Sequence, residues 1–78
     1  TPLYPRRALR LRRPGEVRLE VEVGPGGKVL QVAVLEETGQ WGFGTAAREA
    51  YREARFSPPT LRGQPVRVRW QRTLLFRP

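Results

Sequence analysis

Glu16-Val17-Arg18-Leu19-Glu20-Val21-Glu22-Val23 alternates without a break, with Val17, Leu19, Val21 and Val23 on one side and the charged residues on the other. Successive side chains of an extended chain point to opposite faces, so this stretch predicts a strand with one face in a core and one in water. Gly24-Pro25-Gly26-Gly27 follows as a turn, because glycine reaches positive φ at no steric cost and proline presets the approach. Lys28 to Glu36 reads as a second strand, and the short connection makes the pair an antiparallel hairpin. Its apolar residues break parity. Val29 and Leu35 share one side, whereas Leu30, Val32 and Val34 share the other, which predicts a bulge or a strong twist.

A third strand is predicted from Gln64 to Arg77. Val66, Val68, Trp70, Leu74 and Phe76 have one parity, and Arg67, Arg69, Gln71 and Thr73 the other. Pro65 suits its first positions, where a missing N–H costs least. Charge then predicts the pairing. The polar face of the first strand is mostly acidic (Glu16, Glu20, Glu22, beside Arg18) and that of the third is basic (Arg67, Arg69). Opposite charges across a strand pair contribute roughly 0.2–1 kcal/mol each, and like charges cost a similar amount. The expected order is therefore two-one-three, with the third strand at an edge. Its length predicts that Leu74 to Phe76 overhang.

Thr1 to Pro5 reads as extended, since each proline pushes its predecessor out of the helical region. Arg6 to Arg12 predicts two helical turns with Ala8, Leu9 and Leu11 as the apolar side, ended by Pro14-Gly15. Glu37 to Gly44 is a glycine-rich loop. Thr45 to Ala54 predicts a helix, because Phe43, Ala46, Ala47, Ala50 and Ala54 recur at helical spacing, and small alanines let it lie close to a sheet. Ser57-Pro58-Pro59 stops it, and Leu61 to Gln64 turns the chain. The fold class is α+β: a three-stranded antiparallel sheet with two helices on one face.

At 78 residues the chain has room for one domain and one modest core. It contains no Cys and no His, which excludes the usual zinc sites, thiol chemistry and imidazole bases and leaves packing to hold the fold. Of 15 basic residues only Lys28 is lysine, and the seven acidic residues are all glutamate, for a net charge of +8. Asn and Met are also missing, which fits a thermophilic source or a biased genome. Ser57, the single serine, stands beside two prolines, and no paired acid and base emerges. The chain is expected to be neither an enzyme nor a cofactor binder. Gly42-Phe43-Gly44 lacks the length and the lysine of a phosphate-binding loop. Arg6, Arg7, Arg10, Arg12 and Arg13 form the densest basic cluster, a solvated face or a site for nucleic acid or acidic lipid. The polar sheet face is poor in aromatics for base stacking, so nucleic acid is not expected as a partner. No stretch approaches the roughly 20 apolar residues of a membrane span. The start on Thr1-Pro2 leads to the expectation of a piece of a longer protein, with any anchor upstream.

Several motifs in order carry a resemblance. Tyr4-Pro5 followed by Arg7-Ala8, Gly15 before the alternating Val17, Leu19 and Val21, and Gly27-Lys28-Val29 before Val32 and Val34 form the first half. Gly42-Phe43-Gly44 with Ala46-Ala47, Ala50 and Arg55-Phe56-x-Pro58, then Gly63-x-Pro65-Val66, form the second. Together they resemble the C-terminal domain of TonB-family energy transducers over essentially the whole chain. The sequence departs from the family pattern at Gly26, where an acidic residue is usual, at Gly44-Thr45 in place of an acidic helix start, and at Ala54 in place of Trp. Trp41 and Trp70 are candidates to fill that volume.

The resemblance implies a periplasmic domain of an inner-membrane-anchored protein. Such proteins carry proton-motive work from an inner-membrane motor complex to outer-membrane transporters for iron chelates or cobalamin. It implies binding of the transporter's TonB box by β-augmentation, as a strand added beside the last strand. Mapped onto this sequence, the partner-binding residues are Val66, Arg67, Val68, Arg69, Trp70, Gln71 and Arg72, flanked by Leu3 and Tyr4. Arg67 and Arg69 have two readings, partner contact or pairing with Glu20 and Glu22. Tyr4 reads as a contact or a core anchor, and Trp70 as core. An exposed edge also admits a homodimer. The alternatives are a TonB-like interaction module of another envelope protein and a small basic nucleic-acid binder.

Overall fold

The structure, a computed structural model, describes residues 3–78; Thr1 and Pro2, read above as extended, lie outside the described residues. In chain order the elements are α1 (Arg6–Arg10), β1 (Gly15–Val23), β2 (Val29–Glu37), α2 (Phe43–Arg52), β3 (Thr60–Leu61), β4 (Gln64–Pro65) and β5 (Val68–Phe76). β1, β2 and β5 form an antiparallel sheet in the order β2-β1-β5, the arrangement that the Glu and Arg faces predict. The charges meet as expected. Arg67 Nη1 lies 3.2 Å from Glu22 Oε2, and Arg69 lies 3.8 Å from Glu20 and 3.9 Å from Glu22.

β1 alternates in burial as in sequence, and Val17, Leu19, Val21 and Val23 are its buried side. At roughly 1.5–3 kcal/mol for each buried aliphatic side chain, this row is a main source of cohesion. The parity break in β2 resolves into two bulges. Glu22 pairs with Gln31 and Val23 with Val29, so Leu30 is extra; Leu19 pairs with Val34 and Arg18 with Glu36, so Leu35 is extra. Each bulge turns a leucine out to solvent and keeps Val29 and Val32 buried.

α2 lies over β1 and β2 with Phe43 and Ala47 fully buried. It begins at Phe43, two residues before the expected start. The reason is a tertiary contact: Glu37 Oε2 at the end of β2 accepts the Gly44 N–H at 2.8 Å, and Gly42 enters at φ +89°. A carboxylate at this end satisfies an orphan donor and complements the helix dipole. The acidic group missing from the helix start thus arrives from β2. At the other end α2 stops at Arg52 rather than Ala54. α1 is one residue longer than a single turn and ends at Arg10, before the expected Arg12, because Arg12 takes a left-handed conformation (φ +53°). The Arg13 N–H then returns to the Ala8 carbonyl at 2.8 Å, a pattern that closes helix ends.

The last strand begins at Val68, not Gln64. Gln64–Pro65 instead pairs with Thr60–Leu61 around Arg62 (φ +53°) and Gly63 (φ +80°), a two-residue hairpin of the type that needs positive φ twice. Val66 donates its N–H to the Pro59 carbonyl at 2.9 Å. β1 also runs out as a partner, since Val23 pairs with Val68 and Gly24 opens the turn. Nor does β5 overhang. Phe76 pairs with Gly15 and is 4% exposed, and the three sheet strands have nine residues each.

Candidate functional site

The sheet has two edges, and they differ. β2 is broken by the Leu30 and Leu35 bulges, which twist and interrupt a row of hydrogen-bonding groups. β5 pairs with β1 without a register shift from Val68 to Phe76, and among the described residues no strand lies on its far side. A regular edge with unpaired backbone groups is a template for another strand. β5 contains no proline and no acidic residue.

Side chains of β5 divide between two faces. On the outer face, Arg69 is held by Glu20 and Glu22, and Gln71 accepts a hydrogen bond from Arg18 Nη1 at 3.1 Å. Arg18 also pairs with Glu36 at 2.6 Å. This face is a crosslinked polar layer over three strands. On the helix face, two aromatic clusters stand apart. Tyr4, Phe43 and Phe76 meet at one end, with ring centroids 4.8 to 5.8 Å apart. Trp70, Phe56 and Tyr51 meet towards the other, 5.6 to 6.3 Å apart. Such ring pairs add roughly 0.5–1.5 kcal/mol beyond their area. Beside the second cluster is a hollow of about 340 Å³ lined by Val23, Phe56, Ser57, Pro59, Val68 and Trp70.

Among the sequence-predicted site residues, Val68, Arg69, Trp70, Gln71 and Arg72 fall within β5, and Val66 and Arg67 precede it. Arg67 is paired with Glu22. Tyr4 is anchored by its two ring contacts and by a hydrogen bond from its hydroxyl to the Arg13 carbonyl. It sits by Phe76, rather than beside Val66. From Val68 to Phe76 an extended strand runs roughly 27 Å, so Tyr4 and Val68 mark opposite ends of the edge. Leu3, 86% exposed, precedes Tyr4. Trp70 is half-buried against Tyr51 in the last turn of α2 and Phe56 just past it. Trp41 also packs half-buried against the core, and the guanidinium groups of Arg7 and Arg13 lie 4.8 and 5.6 Å from its ring centroid, which clamps the N-terminal arm to the loop before α2.

Two features escape a residue-by-residue reading. The Glu37 cap needs β2 and α2 side by side. Arg72 carries the parity of Trp70 and Leu74, and that count places it on the helix face, opposite Leu19. No helix of the described residues is long and apolar enough to cross a membrane.

A comparison with curated proteins gives no match. The family model described as Gram-negative bacterial TonB protein C-terminal matches residues 1–78. With the β2-β1-β5 sheet and its two helices in the order the resemblance implies, the chain belongs to the TonB C-terminal domain family, the interaction domain of energy transducers.

Proposed function

We propose that this chain is the periplasmic C-terminal domain of a longer, inner-membrane-anchored energy transducer. It captures the TonB box of outer-membrane transporters as a strand added to β5. The observation that carries this reading is the contrast between the two sheet edges: β5 is regular over nine residues, while β2 is twice bulged. Main-chain hydrogen bonds along β5 supply much of the binding, and side chains on its two faces tune selectivity. A ladder of this kind also suits a mechanical link. A pull along the strands loads several bonds at once, so work from a proton-driven motor complex in the inner membrane reaches the transporter without one bond bearing the force. Uptake of iron chelates or cobalamin is the transport so driven.

Backbone methylation of a TonB-box peptide tests the geometry. An added strand turns alternate N–H groups towards β5. Methylating those of one parity is expected to abolish binding in calorimetry, and methylating the other parity to leave it nearly intact. Equal tolerance at both parities is the outcome that sinks strand addition.

A further inference from the structure

Arg72 is out of place by the logic of the rest of the strand. It pairs with Leu19, a fully buried residue, and so lies on the helix face of β5 between half-buried Trp70 and Leu74. Yet Arg72 is exposed, because α2 lies over β1 and β2 and the aromatic clusters cover β5 only towards its ends. Arg67 and Arg69 are engaged by Glu20 and Glu22, whereas Arg72 takes part in no salt bridge among the described residues. Along the edge, then, the cation without a carboxylate partner is the one on the apolar side.

We propose that Arg72 sets the register and facing of the incoming strand by pairing with a carboxylate on that strand's helix-side face. The proposal rests on the strand-addition reading and narrows its ligand class. The ligand is an extended segment with one Glu or Asp flanked two residues away on each side by apolar residues. The flanking side chains lie against Trp70 and the adjoining hollow in one direction and against Leu74 in the other. Directly opposed residues on neighbouring strands have Cβ atoms roughly 4.5–5.5 Å apart, within reach of a guanidinium–carboxylate pair. A slip of one residue turns that carboxylate to the outer face, where Glu20 and Glu22 already hold Arg69, and turns the apolar pair out to water. Arg72 therefore rejects the wrong register as well as rewarding the right one.

The test uses capped peptides: the parent and its central analogues read the same in either direction, and the slipped one keeps its Glu on the face opposite its valines in both, so strand polarity does not matter. Thr-Val-Thr-Glu-Thr-Val-Thr, its central Gln and Lys analogues, and a slipped version, Thr-Val-Glu-Val-Thr-Val-Thr, are titrated into the protein up to their solubility limits while backbone amide shifts are followed. The central-Glu peptide is expected to bind about five- to tenfold more tightly than the Gln analogue or the slipped peptide, the range of a charge-assisted pair at a partly wet site. Arg72→Gln removes that preference, Arg72→Glu transfers it to the Lys analogue, and Arg69→Gln leaves it in place. A preference that survives Arg72→Gln, or that follows Arg69, overturns the assignment while strand addition stands. Absence of a preference in the wild-type protein overturns it too. If no peptide of the set shifts the β5 amides, strand addition itself fails, and this inference with it.

Discussion

Gly27 sits at φ +87°, and a Cβ added there would lie 2.0 Å from the Phe56 carbonyl oxygen. Its own carbonyl accepts the Phe56 N–H at 3.0 Å, and Lys28 bridges to Arg55. The hairpin turn and the α2 exit are therefore joined through a backbone contact that only glycine permits. Gly27→Ala is expected to lower unfolding free energy by about 2–3 kcal/mol in denaturant titration, the strain of a disfavoured φ added to a steric clash. Gly15 is a second close approach: its missing Cβ leaves room for the Phe43 ring, whose nearest atom would lie 2.2 Å away. At Glu37 the expectation is milder. Glu37→Ala removes a helix cap and should cost about 0.5–2 kcal/mol, with loss of amide protection confined first to Gly44 and its neighbours in hydrogen exchange. A drop in stability with the α2 amides unchanged would contradict that role.

At the level of elements, the two edges of the sheet carry opposite instructions. The Leu30 and Leu35 bulges discourage pairing along β2, and the regular ladder of β5 invites it. Hydrogen exchange reads this directly. Alternate amides of β5 should exchange quickly in the free protein and become protected when a TonB-box peptide binds, while β2 amides stay as they were. Between β1 and β5, ion pairs whose arginines are exposed and whose Glu22 is largely covered are a weaker cement than their number implies. A double-mutant cycle with Glu22→Gln and Arg69→Gln is expected to give a coupling of about 0.2–1 kcal/mol that fades with salt. A coupling well above that range would mean the pairs are better shielded than their geometry implies. Their larger contribution is to register: they make the β2-β1-β5 order better than alternatives that set Arg against Arg.

Taken whole, the molecule is long for its size. Its extents are 48 × 18 × 16 Å and its radius of gyration is 14.1 Å, against roughly 11–12 Å for a compact chain of this length. The β3–β4 hairpin is exposed along its length, with Leu61 63% exposed. Such a shape presents much of one sheet edge to a partner, and it also raises the question of self-pairing. An antiparallel second copy on β5 would bring its basic residues against those of its twin, with no acid in either strand. Together with the +8 charge, this predicts a monomer at low ionic strength and self-association that grows with salt in light scattering. Dimerisation weakened by salt would point to a different contact.

The sequence by itself determined the strands, the hairpin, the helix with its alanine stripe and, through the acidic and basic faces, the strand order. These are consequences of periodicity and of charge on neighbouring chains, both of which are local or pairwise. It also carried the family resemblance, since motif order survives without coordinates. The tertiary structure alone decided where β5 begins, because that depends on where β1 ends and on Gln64 and Pro65 being claimed by a second hairpin. It alone joined Glu37 to Gly44 in the first turn of α2, seven residues downstream. And it left Arg72, which parity already separates from Arg67 and Arg69, as an exposed cation on the helix face with no salt bridge among the described residues. Its exposure depends on how α2 lies on the sheet, and the pairing of the other two on where the glutamates reach; no spacing along the chain encodes either.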